Sequence, residues 1–447
     1  MNISIGFLKK LSVSSIGRTF GALVMAGTIA ADSFAAGAAA FGNEVVSARA
    51  MGQGGVGVAA QSNDPAAVFI NPAGLTQMPG TQASYGVSWE NLHGMYTDDA
   101  GDKTKMRSVD AAVPNFAFTH TMMDGKLGMG LSTEAPYGLE THWSGDSPLR
   151  YVTTNSKLHM VVLSPAVAYQ IDPRVSVGAG ADYYNDFDTQ LERHIDAGGA
   201  GIVSQDANSR LSGTGTNWGY HAGLLLQPTE QHALGIVYHS KVKMTIKGTV
   251  ELSGLSGPLS NLFGGSDYQT AAYTDLYIPQ NVQFGYAFKP NSKWMLEMDT
   301  AWYDWYADRD LNIRYAETNS MRLDALNLGN PTPSLRRNAW SFATGANYRQ
   351  NDRMQYRGGF FYLPYATPES TFTPALMDLT RYGLSGGIGI GLMPRLTLDL
   401  SYTAVFYHNR SITNTVAADT TGDSARTIDG TYGNFVNIVM FNLTYRL

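Results

Sequence analysis

The chain has 447 residues, enough for two or three ordinary domains or for one large all-β domain. Only 15% of its residues are charged against 11% aromatic, and a net charge of −6 removes the basic surface that nucleic-acid binding needs, so no nucleic-acid partner is expected. Zero cysteines exclude disulfides, a lipoprotein anchor, thiolate metal ligands and a cysteine nucleophile, and no internal stretch approaches the ~20 apolar residues of a membrane helix.

In chain order, the first predicted element is an export signal. Lys9, Lys10 and Arg18 precede an apolar run over residues 20–31, and Ser33 and Ala35 supply small residues at a cleavage site. The pattern predicts a signal peptide over residues 1–35.

Residues 36–80 neither alternate nor carry an amphipathic helix of useful length, and they are too few for an independent core. Gly52, Gly54, Gly55 and Gly57 permit a tight, irregular backbone. In Asn71-Pro72-Ala73 the amide can satisfy nearby backbone groups, the ring fixes φ, and the methyl lets the chain pass close to a wall. Irregular backbone at membrane depth is tolerated only when enclosed by protein or lining a cavity. A barrel lumen is therefore its natural host, and the segment reads as a small plug.

From residue 81 to 447 the pattern is β. Leu396, Leu398, Leu400, Tyr402, Ala404 and Phe406 fall on one face, with Thr397, Asp399, Ser401 and Thr403 on the other. Val282, Phe284, Tyr286 and Phe288 alternate with Gln283, Gly285 and Ala287, and Trp294, Leu296, Met298 and Trp302 oppose Glu297 and Asp299. A period of two marks strands, and an acidic second face points to water rather than to a packed core. Trp302, Trp305, Tyr306 and Tyr407 near strand ends suggest an interfacial girdle.

Short turns at 124–125, 172–173, 228–229, 290–291, 351–352 and 393–394 alternate with long connections near 94–109, 138–156, 194–216, 252–276, 315–338, 366–380 and 408–432. Six short and seven long connections make thirteen, hence fourteen strands with both ends on the short-turn side. That asymmetry belongs to outer-membrane barrels. The predicted fold is all-β, a 14-stranded antiparallel transmembrane β-barrel, multi-pass in the outer membrane of a Gram-negative bacterium, in contact with outer-membrane lipid and monomeric. The last strand ends Phe441, Leu443, Tyr445, Leu447, and this resembles the signature read by the barrel-assembly machinery, with Leu in place of the usual terminal Phe.

Chemical motifs give nothing. Residues 52–57 match a dinucleotide fingerprint by letter but follow no strand of a βαβ unit. Residues 383–387 match a nucleophile elbow within an antiparallel strand that no helix follows. The nine histidines, His232 and His239 among them, show no metal spacing. No catalysis, cofactor or metal is expected.

Phe41-Gly42-Asn43-Glu44, residues 47–52, Asn63-Asp64 and Asn71-Pro72-Ala73 resemble the N-terminal hatch of the FadL/TodX family of outer-membrane transporters of long-chain fatty acids and hydrophobic hydrocarbons. The resemblance extends to Ala135-Pro136-Tyr137-Gly138, Leu149-Arg150-Tyr151, Tyr277-Ile278-Pro279, Trp302-Tyr303-Asp304-Trp305, Pro368 and Pro374, over the whole mature chain. It implies a hydrophobic ligand received outside, a hatch over residues 36–80 whose movement gates passage, a barrel over 81–447, and sideways release through the wall.

Individual residues fit those roles. Leu252, Leu255, Leu259, Leu262 and Phe263 form an apolar series in a connection expected to face water, as a ligand patch or as a local loop core. Pro136 and Gly138 predict a break near the end of the third strand, which the resemblance makes the lateral opening. It also implies Arg193, and more weakly Arg309, as cations for a ligand carboxylate, although Glu192 or Asp308 could pair with them instead. Phe41 is implied to reach into the ligand cavity. The alternative function is a general porin for small polar solutes. Uptake of metal chelates would require about twenty-two strands and a larger plug, and an outer-membrane lipase would require a Ser–His pair that the chain does not offer.

Overall fold

The computed structural model describes residues 42, 45–60, 64–196, 206–308, 310–413 and 428–447. Residues 1–35, Phe41 and Arg309 lie outside the described residues.

Fourteen wall strands follow one another in chain order: β1 Thr81–Thr97, β2 Val109–Met122, β3 Leu127–Glu134 resuming at Gly138–His142, β4 Asn155–Asp172, β5 Val175–Asp196, β6 Asp206–Leu226, and β7 His232–His239 resuming at Val242–Ser253. Then come β8, Tyr268–Ile278 resuming at Asn281–Phe288, β9 Trp294–Tyr303, β10 Ala339–Arg349, β11 Met354–Leu363, β12 Arg381–Met393, β13 Leu396–Tyr407 and β14 Gly430–Arg446. Each pairs antiparallel with its neighbour, and β14 closes on β1 from Gln82↔Arg446 to Thr97↔Thr431. Closure pairs the first strand with the last, so neither end of the sheet is left as an open edge in an apolar surround.

Burial is inverted relative to a water-soluble protein. Trp89, Trp218, Met298, Phe342, Leu384 and Tyr402 are exposed, while Ser88, Asp182, Glu297, Asp399 and Thr444 on the opposite faces are buried. A wall that is greasy outside and polar inside suits lipid around it. No described helix is long and apolar enough to cross a membrane; the strands do the crossing.

Two local expectations need correction. Trp305 is fully buried inside the barrel, packed with Ile278 and Ala339, and belongs to no outer girdle. The strands on either side of the connection expected at 194–216 run on to Asp196 and restart at Asp206, because Leu191, Leu211 and Ala207 continue the ladder beyond the apolar belt.

The N-terminal segment lies inside this ring. It contains α1 (Ala48–Met51), α2 (Ala67–Ile70) and a 3-10 helix (Pro72–Gln77), all short. It packs on β12–β14 at one side and on β3–β6 at the other, so it spans the lumen.

Candidate functional site

The plug is held by directed polar bonds. Gly57 and Val58 donate their backbone N–H to Asp299 Oδ2 (2.8 and 3.1 Å), and Ala59 and Ala60 donate theirs to Glu297 Oε1 (2.7 and 3.0 Å). Both carboxylates project inward from β9. Ala48 N donates to Asn442 Oδ1 on β14 at 2.8 Å, and Arg49 meets Asp399 on β13 at 3.5 Å beside the Arg357–Asp399 pair at 2.6 Å. Ser47 joins the ends of the segment: its hydroxyl accepts from Ala50 N and donates to Asp64 Oδ2 at 2.6 Å.

Asn71-Pro72-Ala73 is a closed turn in this structure. Asn71 Oδ1 accepts from Ala73 N at 3.1 Å and so caps the 3-10 helix, while Nδ2 donates to Val58 O at 2.7 Å. Pro72 takes the first helical position, where a missing N–H costs nothing. The wall is recessed to receive it. A Cβ on Gly223 would lie 2.1 Å from Asn71 Oδ1, and one on Gly178 would lie 2.5 Å from Ala73 N. Gly345 and Gly359 admit the Gln53 backbone in the same way, at 2.2 and 2.1 Å. Within the plug, Gly54 (φ +77) could not be replaced without backbone strain.

The wall is interrupted at the third strand. Leu127–Glu134 pairs with β2 only as far as Phe116↔Thr133, while Gly138–His142 pairs with β4 and with no part of β2. Residues 109–115 of β2 are thus laddered only to β1 and β2's own upper edge faces a gap. Ala135, Pro136 and Tyr137 lie out of the ladder, Pro136 having no N–H to donate. The gap is bounded at the long-loop rim, where Arg107 N bonds His142 O at 2.9 Å. Register shifts at His159/Met160 and at Asp186/Thr189 disturb β4 and β5 beside it.

The surface behind the gap combines an apolar cluster with the buried Glu140–His159 pair at 3.1 Å. Val113 and Ala135 pack with Val161 and Phe187. Tyr137 and Leu139 open onto Leu158, Met160, Val162, Tyr184, Met244 and Ile246. Gly42 of the plug forms an antiparallel bridge with Tyr137, and its carbonyl accepts from Arg381 Nη2 at 3.4 Å. The leading end of the plug therefore touches the interruption.

The external series is brought together, but mostly as a loop core. α3 (Gly257–Phe263) and α4 (Ser320–Leu326) are neighbours, joined by Arg322 Nε donating to Leu262 O at 2.9 Å. Leu255 and Phe263 are buried there with Leu252, whereas Leu259 and Leu262 stay partly open at its edge. The open patch expected at 252–276 is thus narrower than the sequence suggests, because α4 covers it.

Arg193 stands opposite Ser209 on the exposed extension of β5. Its charge reaches Tyr315 at the rim of the loop core, whose phenol burial pushes up and Arg193 pulls back. Glu192, weighed as its partner, pairs with Arg210 at 3.1 Å. Asp308, weighed as a partner for Arg309, pairs with Arg336.

Sequence reading missed the plug's anchors: Glu297 and Asp299 as backbone acceptors, Asn442, and the in-phase wall glycines. The only local trace of them is an acid pair in the middle of β9 and wall glycines on inward faces.

Comparison with known proteins follows the same line. The model of the outer membrane protein transport protein family (OMPP1/FadL/TodX) matches residues 29–447. A long-chain fatty acid transport protein of Escherichia coli O6:H1 is 22% identical over 82% of this chain and 86% of its own. A 47 kDa outer membrane protein of Pasteurella multocida is 23% identical over 93% and 97%. Among solved structures, a Pseudomonas aeruginosa FadL homologue superposes with TM-score 0.78 at 21% identity, covering 91% of this chain and 99% of that one. The P. putida toluene transporter TodX gives 0.65 at 16%, covering 93% and 99%.

Proposed function

The chain belongs to the outer membrane protein transport protein family (OMPP1/FadL/TodX), and on that premise we propose that it carries long-chain fatty acids or hydrocarbons from the cell exterior and releases them sideways through the gap at Ala135–Tyr137. Its setting is the outer membrane and its activity is transport rather than catalysis. The cargo assignment draws on the relatives, one a fatty acid transport protein and another a toluene transporter.

One observation carries the reading: the broken β2–β3 ladder opens onto an inner surface of Leu158, Met160, Val162 and Met244. An apolar molecule crosses such a surface at little desolvation cost, whereas a sugar would leave its hydroxyls unpaired. The porin alternative is disfavoured by the plug, which fills the short-turn half of the lumen with buried residues from Val45 to Met78.

In this reading residues 1–35 are the export signal, residues 36–80 form the hatch, and residues 81–447 form the barrel. Asn71-Pro72-Ala73 locks the hatch, and Phe41, which lies outside the described residues, is assigned to gating with it. Leu259 and Leu262, beside Leu255 and Phe263, receive cargo outside, and Arg193, with Arg309 as a secondary cation, attracts an anionic head group. The barrel acts as a monomer in outer-membrane lipid after insertion by the barrel-assembly machinery.

Pro136→Ala restores an N–H to the broken segment and favours re-pairing. Uptake of labelled oleate and of toluene by cells should fall about tenfold, equivalent to about 1.4 kcal/mol, while the purified barrel keeps its heat-modifiable migration. Unchanged uptake, or rapid swelling of wild-type liposomes in sugar, overturns the proposal.

A further inference from the structure

Three inward side chains, away from the wall gap, meet where the wall holds the plug. Asp182 on β5, His221 on β6 and His239 on β7 are all buried, and one ligand atom from each lies within 4.8 Å of the others. Antiparallel register creates the group: His221 stands directly across from His239, and Asp182 is across from Gly219, one inward position along from His221.

The hydrogen bonding leaves a specific deficit. His221 Nε2 is 2.9 Å from the carbonyl oxygen of Val68, which can only accept, so Nε2 carries a proton. Its Nδ1 lies 2.8 Å from Asp182 Oδ1, another acceptor, which also receives Ser164 Oγ at 2.6 Å. Asp182 Oδ2 is buried without a hydrogen-bond partner among the described residues. His239 stacks on His221 (5.2 Å between centroids, 20° between planes) and touches Phe69, but its ring makes no hydrogen bond among the described residues.

A lone pair facing a carboxylate at 2.8 Å requires a cation at the junction. A second ring proton would satisfy His221 and Asp182 Oδ1, yet it would leave Asp182 Oδ2 and His239 unused. A metal ion engages all three residues. Donor atoms at about 2.0–2.1 Å from a tetrahedral ion stand about 3.3 Å apart, so the 2.8 Å pair would open by about half an ångström on binding.

We propose that Asp182, His221 and His239 bind one divalent transition-metal ion of the zinc class. Two imidazoles and one carboxylate suit Zn²⁺, Co²⁺ or Ni²⁺, whereas Mg²⁺ and Ca²⁺ want oxygen donors. The surroundings are those of a supported site: Val68 accepts the proton of the liganding ring and Ser164 steadies the liganding carboxylate, as outer-shell partners do. Because Val68 belongs to the plug and the three ligands to the wall, the ion fixes the His221 tautomer that holds the plug there.

The test uses the full chain in detergent, stripped with chelator and titrated with zinc chloride by calorimetry, with cobalt(II) absorption as a second readout. Wild type should bind one equivalent and develop visible cobalt bands. Asp182→Asn, which keeps the shape, and His239→Phe, which keeps the ring stack, should each weaken binding at least about 100-fold, the range that loss of even an outer-shell partner reaches. Heat-modifiable migration checks that each variant is folded, so either one suffices. Zinc binding equal in wild type and variants, placing the ion on exposed histidines, or no binding by wild type, leaving a proton at the junction, overturns the proposal. Neither readout depends on what the barrel transports.

Discussion

The two halves of the lumen are built from opposite chemistry on the same strands. The inward face of β14 runs from Tyr432 through Val436, Ile438 and Met440 to Asn442 and Thr444, and β13 runs in the opposite sense from Asp399, Ser401 and Thr403 to Val405. On β1, Gln82, Ser84, Ser88 and Glu90 give way to Leu92 and Tyr96. The short-turn half is polar and holds the plug; the long-loop half is apolar and leads to the gap. Under the proposed gating, a plug that returns to one position needs directed bonds, which weaken steeply with misalignment. Cargo that must slide needs contact without direction, and apolar surface gives that.

The sharpest way to break this comparison is to remove direction from the polar half. Glu297→Ala with Asp299→Ala deprives four plug N–H groups of their acceptors. At about 1–3 kcal/mol for each buried donor left unmet, and allowing for water re-entering, we expect on the order of 4 kcal/mol of docking to be lost. The plug should undock, and liposomes should swell rapidly in arabinose, while the barrel remains heat-modifiable. Swelling at the wild-type rate would mean that the recesses at Gly178, Gly223, Gly345 and Gly359 hold the plug without the carboxylates.

A smaller effect is expected from making the apolar half polar. Met244→Thr places a hydroxyl among Leu158, Met160 and Val162, at roughly 1–3 kcal/mol if it stays unpaired. Hydrocarbon uptake should fall while sugar permeability stays at the wild-type level, the reverse of the carboxylate variant. If both permeabilities rise together, the halves are not separable.

The legible part of this design was the part written in local periodicity. Alternation and the alternating connection lengths gave fourteen strands and an inside-out wall, because each depends on residues two apart or on one connection at a time. Pro136 is a feature of the same local kind, since an absent N–H is visible in one letter. The anchors were not legible in this way. Glu297 reads simply as an inward acid until Ala59, 238 positions earlier, is known to point at it. His221 and His239 are eighteen residues apart in the chain, a spacing of no helical or loop motif, and become neighbours only through the register of β6 and β7. The apolar series at 252–263 was legible only as two alternatives: its pattern fits a ligand patch and a loop core equally well, and α4, some sixty residues on, is what covers Leu255 and Phe263.

The smallest expected effect tests whether the outer approach shares the indifference of the apolar half to charge. Arg193 is exposed, across from Ser209, and reaches the loop core through Tyr315 rather than through the lumen. A charge in water is screened, and an exposed ion pair is worth about 0.2–1 kcal/mol. Arg193→Ala should therefore weaken oleate binding by no more than about fivefold, with less effect at high salt, and should leave toluene uptake unchanged. Equilibrium binding of a fluorescent fatty acid at two ionic strengths reads both parts. A loss of a hundredfold or more would place the head group against a desolvated Arg193, and the outer approach would then discriminate by charge in a way that the apolar half cannot.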